Sequence, residues 1–580
     1  MTTTADAPPA NGPGPGPGPD ATDAEHAAYA RRRWTLAVLC LSLLIVFVGN
    51  ASLNVAIPTL SRELHATTSQ LQWVVAAYAL VFAGLLFSTG ALGDRFGRKG
   101  ALQLGLVGFL IAAALASEST EMWQLIACRA AMGASAALIM PSTLSILVNV
   151  FPPHERTKAI AIWAATTGAA GAIGPVASGF LLGHFWYGSV FLVNVPIIAV
   201  ALIAGWFLVP RSRDPEQGKL DPLGAVLSII GISALVYGLI QAPDKGWMSG
   251  GTLGTFAVAI VVLGLFVAWE LHVDEPMLDM GFFKNPAFST GTGGMILVFL
   301  SMYGVMFLIT QYFQLVLGYS PLSSALRTLP MSPIMIIVAP LTPRLSKKFG
   351  SHRVVAGGMV LIAFGFLMFR ALSVDTPYWY VLLAFLPLVG GIALTMSPMT
   401  AAIMGAVPAR RAGAGSAMND ASRELGAALG VAVLGSVAAS HYASAMGGVV
   451  GKISVGQRGE AETSLAGALD VGAKLPAAAG HALTLGAQDA FIGGIQLAVT
   501  AGAILAIVAA VIVYRFLPHV TTQDGAMHGA LESMENAAEL GLGGTPPIFA
   551  DVEDRKSDLE NPESEIEARP SMESETAPGR

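Results

Sequence analysis

The sequence contains fourteen apolar runs, most of them close to the roughly 20 residues that an α-helix needs to cross the hydrocarbon core of a bilayer. They lie at approximately 34–57, 71–92, 101–117, 121–147, 159–183, 190–209, 222–241, 251–271, 289–313, 325–343, 353–372, 379–404, 414–439 and 489–517. Only 12% of the residues are charged, whereas soluble domains average about 25%. The sequence therefore predicts an all-α integral membrane protein with fourteen transmembrane helices.

Polar segments flank and interrupt these runs. Residues 1–33 and 518–580 are poor in aromatic and branched apolar side chains, which predicts a disordered leader and a disordered acidic tail. The formal net charge of −6 says little about partners, because much of the negative charge lies in that tail. The stretch 440–488 is too polar to span a bilayer and is predicted to form an extracytoplasmic loop.

Lysine and arginine are concentrated in alternate connections between the runs. The basic residues of these connections, beginning with the leader, are Arg31, Arg32, Arg33, Arg95, Arg98, Lys99, Arg156, Lys158, Arg211, Arg213, Lys219, Arg344, Lys347, Lys348, Arg353, Arg410 and Arg411. Cytoplasmic loops carry an excess of such residues. The pattern predicts a multi-pass protein of the cell membrane with both termini in the cytoplasm.

Two of the basic connections share a short motif. DRFGRKG at 94–100 aligns with KKFGSHR at 347–353, with Phe-Gly at the same offset. Many transporters are built from paired repeats. The echo favours two similar six-helix halves, 34–209 and 286–517, with two inserted helices in 210–285.

Several ordered motifs resemble those of the major facilitator superfamily, and the fourteen helices resemble its drug:proton antiporter branch. They are LNVAIPTL, GALGDRFGRKG, CRAAMGASAALIMPSTLSIL, GAAGAIGPVASGFLLG, WYGSVFLVNVP and GAGSAMNDASRELGAALGVAVLGS. The resemblance covers about residues 34–517. It implies a monomer that exchanges protons for a small organic substrate, such as an amphipathic drug or antibiotic, by alternating access, with no cofactor and no nucleic-acid partner.

The GALGDRFGRKG connection is the first candidate site, a conformational gate formed by Gly90, Asp94, Arg95, Gly97 and Arg98. The resemblance implies that Asp94 contacts the cytoplasmic N-terminus of helix thirteen. An anion at a helix N-terminus gains about 0.3–1 kcal/mol, which would hold an inner gate shut. The alternative is an ordinary loop acid that pairs with Arg95 or Arg98, worth about 0–1 kcal/mol.

Arg129 lies inside helix four, where an arginine costs about 2.5–3.5 kcal/mol on insertion scales. It should therefore face the bundle and have a partner. The resemblance implies a role in proton coupling, through hydrogen bonding to helix one. The alternative is an arginine that reaches the outer interface, since it lies only about two turns into the helix.

Helix one departs from the family pattern. Many relatives carry an acid where this chain has Gly49, and Asn50 and Asn54 form a polar but uncharged face. An uncharged helix one supplies no proton-binding acid and no anionic partner for a cationic substrate. Taken alone, Gly49 is more simply a packing residue.

Helix thirteen supplies candidate acids in its place. Asp420 and Glu424 are four residues apart on one helical face, with Arg423 beside them. Two carboxylates so close in a low dielectric do not both ionise readily, which predicts a site of proton coupling. The alternative is a structural ion cluster near the cytoplasmic end.

Helix five carries small residues and a proline at four-residue spacing, at Gly171, Pro175, Gly179 and Gly183. This spacing predicts a narrow face that another helix approaches closely, and the proline predicts a kink. Together with Gly174, these residues resemble the family's antiporter motif, which implies export. Ser178 stands where relatives often have glycine.

Aromatic and amide side chains on helices one, two and nine are candidates for substrate binding. They are Asn50, Asn54, Trp73, Tyr78, Tyr303 and Gln311. Aromatic groups with a few hydrogen-bonding partners suit amphipathic molecules. Trp73 and Gln311 fit an outer interfacial belt equally well.

Other function classes lack their motifs. The sequence has no GxxxxGK[ST] for an ATP-driven pump, and no GxSxG or HExxH for a membrane enzyme. Its two cysteines, Cys40 and Cys128, lie inside apolar runs and predict neither a disulfide framework nor a metal site. Uptake or efflux of a specific metabolite by the same fold is the alternative to drug export.

Overall fold

The computed structural model describes residues 23–211, 221–274, 276–408, 411–450 and 455–518. Within these ranges the ordered elements are all helices, and no strand occurs. Fourteen of the helical segments are long and apolar enough to cross a membrane, and each corresponds to one predicted run. The predicted number of spans and the all-α class are therefore confirmed.

Before residue 275 the described residues form eight spans. They are α1 (Asp23–Glu63), α2 (Thr68–Phe96), α3 (Arg98–Ser117), α4 (Met122–Val150), α5 (Pro153–His184), α6 (Ser189–Leu208, interrupted at Val193), α7 (Pro222–Lys245) and α8 (Gly250–Glu270).

Six spans follow. A short 3₁₀ turn, Met280–Lys284, leads into α9 (Pro286–Val316), and then come α10 (Pro321–Phe349, in several segments), α11 (Ser351–Phe369), α12 (Tyr378–Gly405), α13 (Ala412–Val449) and α14 (Ala477–Phe516). Two short helices, Val455–Thr463 and Leu465–Lys474, lie between α13 and α14, and we refer to them together as the helical cap.

Two sequence predictions about polar segments need correction. Residues 23–33 were predicted to belong to a disordered leader, but they form the start of α1. The stretch 440–488 was predicted to be a loop, but its described residues are helical throughout most of their length. In both segments alanine and other strong helix formers are abundant, so local propensity extends the helices beyond the length that hydropathy requires. Residues 1–22 and 519–580 lie outside the described part of the chain.

The two Phe-Gly echoes have the same backbone conformation. Gly97, between α2 and α3, has φ 109° and ψ 123°, and Gly350, between α10 and α11, has φ 85° and ψ 140°. Each is a single residue that joins two helices directly. Residues other than glycine rarely adopt a backbone conformation with positive φ. The shared Phe-Gly motif therefore marks structurally equivalent turns.

Helix pairing repeats in the same way. Among α1–α6, which we call the first set, α1 packs on α5, α2 and α3 pack on α4, and α3 packs on α6. Among α9–α14, the second set, α9 packs on α13, α10 and α11 pack on α12, and α11 packs on α14. Glycines allow the close approaches, since a Cβ at Gly133 would overlap the carbonyl oxygen of Tyr78, and one at Gly430 would overlap that of Leu300.

The inserted helices occupy different environments. α7 packs against α2 and α13, with Val236 and Ile240 fully buried against alanines of both helices. α8 packs on α7 and exposes Ile260 and Val261, which are 71% and 60% accessible. Apolar side chains so exposed on a membrane-spanning helix suit contact with lipid.

Candidate functional site

We name the two ends of the bundle by residues. The Arg95 end carries the α2–α3 connection, and the Thr68 end carries the α1–α2 connection. Because consecutive helices alternate in direction, the N-termini of α1, α5 and α13 lie at the Arg95 end. An ion pair at that end, from Arg32 Nε to Glu155 Oε2 at 2.8 Å, ties the first helix to the fifth.

Arg129 is a completely buried arginine at the centre of the first set. Its Nε donates to the carbonyl oxygen of Val74 at 3.1 Å, and its two terminal nitrogens donate to Gly49 O at 3.3 Å and Asn50 Oδ1 at 3.2 Å. Its guanidinium carbon lies 4.5 Å from the ring centroid of Tyr78. The side chain thus faces the bundle, where α1 and α2 supply the partners that a desolvated guanidinium needs.

Gly49 has a specific place in this arrangement. Its carbonyl oxygen is one of the acceptors of Arg129, and a Cβ at this position would lie 3.2 Å from Cζ of Phe109. The position at which many relatives carry an acid is therefore both tightly packed and already used as a backbone acceptor. The arginine is held by backbone and amide oxygens rather than by an acid of helix one.

Asn50 connects this arginine to the second set. Its side chain is 6% exposed, and while Oδ1 accepts from Arg129, Nδ2 donates to the hydroxyl of Tyr303 on α9 at 3.5 Å. The ring of Tyr303 stacks on Phe299, with centroids 6.3 Å apart. The buried amide therefore lies at the boundary between the two sets and contacts both.

The acids of α13 reach the same region from the other side. Glu424 is 8% exposed, its Oε2 has no hydrogen-bond partner, and it lies within electrostatic range of Arg129, Tyr78 and Tyr303. A buried, under-satisfied carboxyl group is unusual and calls for a functional explanation.

Asp420 lies one turn nearer the Arg95 end. It pairs loosely with Arg423, with 3.6 Å between Oδ1 and the guanidinium nitrogen, and it accepts from Asn419 Nδ2 at 3.4 Å. Arg423 in turn lies 4.9 Å from the ring centroid of Phe299. The helix thus carries one paired acid and one acid without an ion-pair partner at 4 Å or less among the described residues.

A cavity of about 340 Å³ opens beside Asp420. Residues of α2, α4, α5 and α13 surround it, together with the segments that flank the inserted helices. Its lining includes Phe87, Ser88, Gly90, Met140, Pro141, Ser145, Trp163, Asp221, Met277, Ser416 and Asp420. A mostly apolar chamber with a few polar groups and two acids, Asp221 and Asp420, is suited to an organic molecule.

The two sets are joined at the Thr68 end. Gln72 of α2 donates to the carbonyl oxygen of Val431 at 3.2 Å, and Gln314 of α9 donates to that of Val55 at 3.0 Å. A Cβ at Gly179 would lie 2.7 Å from Cα of Leu322 on α10. The cavity lies at the Arg95 end and the interlocking contacts lie at the opposite end.

The predicted gate residues are only partly described. Gly90 lines the cavity, Gly97 forms the turn described above, Arg95 is exposed and Arg98 is half-buried. The side chain of Asp94, which was predicted to contact the N-terminus of α13 near residues 413–416, lies outside the described part of the structure. The latch therefore stays a prediction.

The predicted packing face of α5 needs correction. Gly171 and Gly183 face open space, whereas Gly174 contacts α1, with a hypothetical Cβ 3.0 Å from Cβ of Ala51, and Gly179 contacts α10. Ser178, which departs from the family pattern, donates to Ser52 O at 2.8 Å. Residues spaced four apart shift gradually around a helix that has 3.6 residues per turn, so they do not stay on one face. The close approaches of α5 therefore involve Gly174 and Gly179, which contact two different helices. The helix continues past Pro175 as one element.

The candidate substrate residues divide into two groups. Asn50, Tyr78 and Tyr303 meet around Arg129, and we refer to these four residues together with Glu424 as the buried polar cluster. Asn54 has a buried Oδ1 without a hydrogen-bond partner. Trp73 instead packs on Tyr237 of α7, with ring centroids 6.1 Å apart, and Gln311 donates to Phe307 O of its own helix at 3.0 Å. These two residues lie outside the cluster.

Sequence reasoning missed several residues of this region. Gln72, Gln314 and Phe299 connect the two sets or stack within the cluster, and Trp163 lines the cavity with its indole nitrogen donating to Thr143 Oγ1 at 3.2 Å. The available signal for Gln72 was a polar residue inside an apolar run, and Gln314 directly follows such a run. No sequence pattern marks Phe299 or Trp163.

These features define the class of protein: a helical membrane transporter with a polar site at the interface of two six-helix sets. The sequence model of the Major Facilitator Superfamily matches residues 39–431, and the chain belongs to that superfamily. It is therefore a transporter and not an enzyme, as the motifs predicted.

Three relatives illustrate the sequence comparison. The chain is 37% identical to the multidrug efflux pump LfrA of Mycolicibacterium smegmatis, over 83% of this chain and 96% of the relative. It is 32% identical to the tetracenomycin C resistance and export protein of Streptomyces glaucescens, over 83% and 91%. It is 34% identical to the methyl viologen resistance protein SmvA of Salmonella typhimurium, over 82% and 97%.

Solved structures share the fold at low identity. A bacterial homolog of the human lysosomal transporter Spinster, in an inward-facing and unoccupied conformation, is 17% identical with a TM-score of 0.57, over 85% of this chain and 99% of that one. A POT family transporter in complex with 5-aminolevulinic acid is 13% identical with a TM-score of 0.57, over 84% and 96%.

Proposed function

We propose that the protein exports amphipathic organic compounds, including drugs or antibiotics, in exchange for protons. The observation that carries the proposal is the position of Glu424, a buried acid one turn from a cavity-lining acid and within electrostatic range of Arg129 in the other set. The names of the relatives, which are efflux pumps and resistance proteins, support the direction of transport and the kind of substrate.

In this proposal the two acids have different duties. Asp420 borders the cavity and meets the substrate or the solvent that enters with it. Glu424 lies deeper and binds the proton that is exchanged, while Arg423 offsets the charge of Asp420. Arg129 senses the state of Glu424 and passes the change to α1 and α9 through Asn50.

The conformational cycle follows from the positions of the contacts. A cavity at the Arg95 end and interlocked helices at the Thr68 end correspond to one of the two states of alternating access. With both termini in the cytoplasm, as the basic connections favour, the cavity faces the cytoplasm and is ready to load substrate. The protein then works as a monomer in the cell membrane.

The energetics of exchange are adequate. One proton that moves down about 100 mV releases about 2.3 kcal/mol, which supports a substrate gradient of about fortyfold.

Asp94 completes the scheme as a latch between the α2–α3 connection and the start of α13. Asp94→Asn should lower transport without lowering the amount of protein in the membrane, and unchanged transport would exclude the latch.

Transport in inverted membrane vesicles tests the function. Vesicles with and without the protein receive an imposed pH gradient, acidic inside, and a panel of compounds that includes methyl viologen and tetracenomycin C. The proposal predicts protein-dependent accumulation inside the vesicles, which a protonophore abolishes. Accumulation only in right-side-out vesicles would indicate uptake instead, and accumulation that is insensitive to the protonophore would contradict proton exchange.

A further inference from the structure

Three side chains of the kinds that bind metal ions meet at the Thr68 end, away from the site described above. His65 lies in the α1–α2 connection, Glu460 lies in the first helix of the cap, and Asp470 lies in the second. One ligand atom from each residue lies within 4.8 Å of the other two. His65 and Glu460 are exposed and Asp470 is half-buried, so the group is open to solvent.

The segments that carry these side chains are fixed by other contacts. Ser61 Oγ donates to Ala66 O at 3.3 Å and closes the α1–α2 connection. Thr68 Oγ1 donates to Thr463 O at 3.1 Å, which joins the start of α2 to the helical cap. The cluster is therefore formed by the fold itself and does not depend on an ion for its assembly.

Contacts between the two cap helices, and between the cap and α13, also fix the position of the cap. The Tyr442 hydroxyl donates to Ala461 O at 2.9 Å, and a Cβ at Gly467 would overlap the carbonyl oxygen of Glu460, which shows how closely the two cap helices approach. Ala461 and Ala468, one in each cap helix, are completely buried. This apolar face holds the cap in place, while Glu460 remains exposed and Asp470 half-buried.

We propose that His65, Glu460 and Asp470 form a binding site for Zn²⁺. An imidazole nitrogen and two carboxylate oxygens, with water in the fourth position, are a usual tetrahedral ligand set for this ion, with bonds of about 2.0–2.2 Å. That geometry places ligand atoms about 3.4 Å apart, which rotation of exposed side chains reaches from separations of 4.8 Å or less. Ca²⁺ and Mg²⁺ prefer oxygen ligands alone, and the imidazole therefore favours zinc.

The ion has a consequence for transport that rests on the proposed alternating access. His65 follows a helix of the first set, whereas the cap lies between two helices of the second set. An ion bound by all three residues ties the two sets together at the end that is already closed. Zn²⁺ then stabilises this state and slows the opening of the Thr68 end on each cycle.

Binding is measured first, on the full-length protein in detergent without a histidine tag. The melting temperature is followed against free Zn²⁺, with Mg²⁺ as a control ion, for the wild type, His65→Ala and Glu460→Gln. His481→Ala and Glu462→Gln are matched controls, because these residues lie near the same end but outside the cluster. We expect the wild type and both controls to be stabilised by micromolar Zn²⁺, with at least about tenfold weaker apparent affinity in His65→Ala and Glu460→Gln.

Two results would overturn the site. One is that Zn²⁺ at concentrations up to about 1 mM does not raise the melting temperature of the wild type. The other is that the melting temperature of His65→Ala depends on Zn²⁺ in the same way as that of the wild type. Size-exclusion profiles that match the wild type show that the variants are folded.

Transport in proteoliposomes then separates the two proposals. If zinc binds and slows wild-type transport but not transport by His65→Ala, both proposals stand. If no substrate is transported even when zinc is chelated, the proposed function fails while the binding measurement still decides the site. If transport proceeds and bound zinc leaves its rate unchanged, the predicted tie between the sets is wrong.

Discussion

Arg129 and Asn50 form a buried hydrogen bond, from a terminal guanidinium nitrogen to Oδ1 at 3.2 Å, and Asn50 in turn donates to Tyr303 in the other helical set. One amide thus joins an arginine of α4 to a tyrosine of α9. A change in the position of either helix alters both bonds, because the amide has its acceptor on one side and its donor on the other.

Replacement of Arg129 by lysine should reduce the transport rate by at least about tenfold. A lysine ammonium cannot reproduce the planar fork that reaches Val74, Gly49 and Asn50 at once, and its geometry on the ring of Tyr78 differs. Export of a fluorescent substrate, normalised to the amount of protein in the membrane, measures the effect. Arg370→Lys is the matched control, since Arg370 is exposed at the end of α11. Wild-type export by Arg129→Lys would show that only the positive charge matters.

The acids of α13 should differ in their effect on coupling. Glu424→Gln keeps the shape of the side chain but cannot exchange a proton, so substrate binding should persist while transport driven by a pH gradient is lost. Asp420→Asn, at the cavity wall, should weaken substrate binding as well. Binding is measured by substrate-dependent changes in tryptophan fluorescence, since Trp163 lines the cavity. Equal behaviour of both variants would contradict the division of roles.

Two glycines test the packing of the first set. Gly133→Ala should lower the free energy of unfolding by about 1–3 kcal/mol, because the added methyl group overlaps the Tyr78 carbonyl where α2 and α4 meet. Gly171→Ala should be neutral or stabilising by about 0.5–1 kcal/mol, since it faces open space and alanine is the better helix former. Thermal unfolding in detergent compares them. A destabilising Gly171→Ala would restore the four-residue packing face that the sequence predicted.

Asp221 should be important for the inserted helices. Its Oδ1 accepts from Gly224 N at 2.8 Å at the start of α7, and from the indole nitrogen of Trp269 at the end of α8 at 2.9 Å. Asp221→Ala removes the acceptor of both hydrogen bonds and should cost about 1–3 kcal/mol, whereas Asp221→Asn retains an acceptor and should cost less. Melting temperatures of the two variants test this, and equal losses would show that the carboxylate charge itself is required.

The sequence predicts the spans well, because hydropathy over about 20 residues is imposed by the bilayer itself. It also predicts the equivalence of Gly97 and Gly350 from the Phe-Gly motif that two seven-residue segments share. It does not predict the partners of Arg129, because the carbonyl groups of Gly49 and Val74 carry no side-chain signal.

The misses elsewhere have similar causes. Alanine-rich polar segments extend α1 and α13 beyond the membrane length, and hydropathy does not register helix propensity. Trp73 and Gln311 lie on the expected helices but outside the cluster. The orientation of α2 about its axis places Trp73 against Tyr237 of α7, and Gln311 donates to the backbone of its own helix. Rotation about a helix axis is decided by packing partners, which a single sequence does not specify.

Proton movement in response to substrate tests the central proposal most directly. Purified protein is reconstituted in liposomes that contain a pH-sensitive dye, and a compound that the vesicle assay identifies as a transported substrate is added to one side without any imposed pH gradient. The account predicts a substrate-dependent pH change inside wild-type liposomes and none with Glu424→Gln. A pH change of equal size with Glu424→Gln, or transport of substrate by the wild type without any pH change, would contradict it.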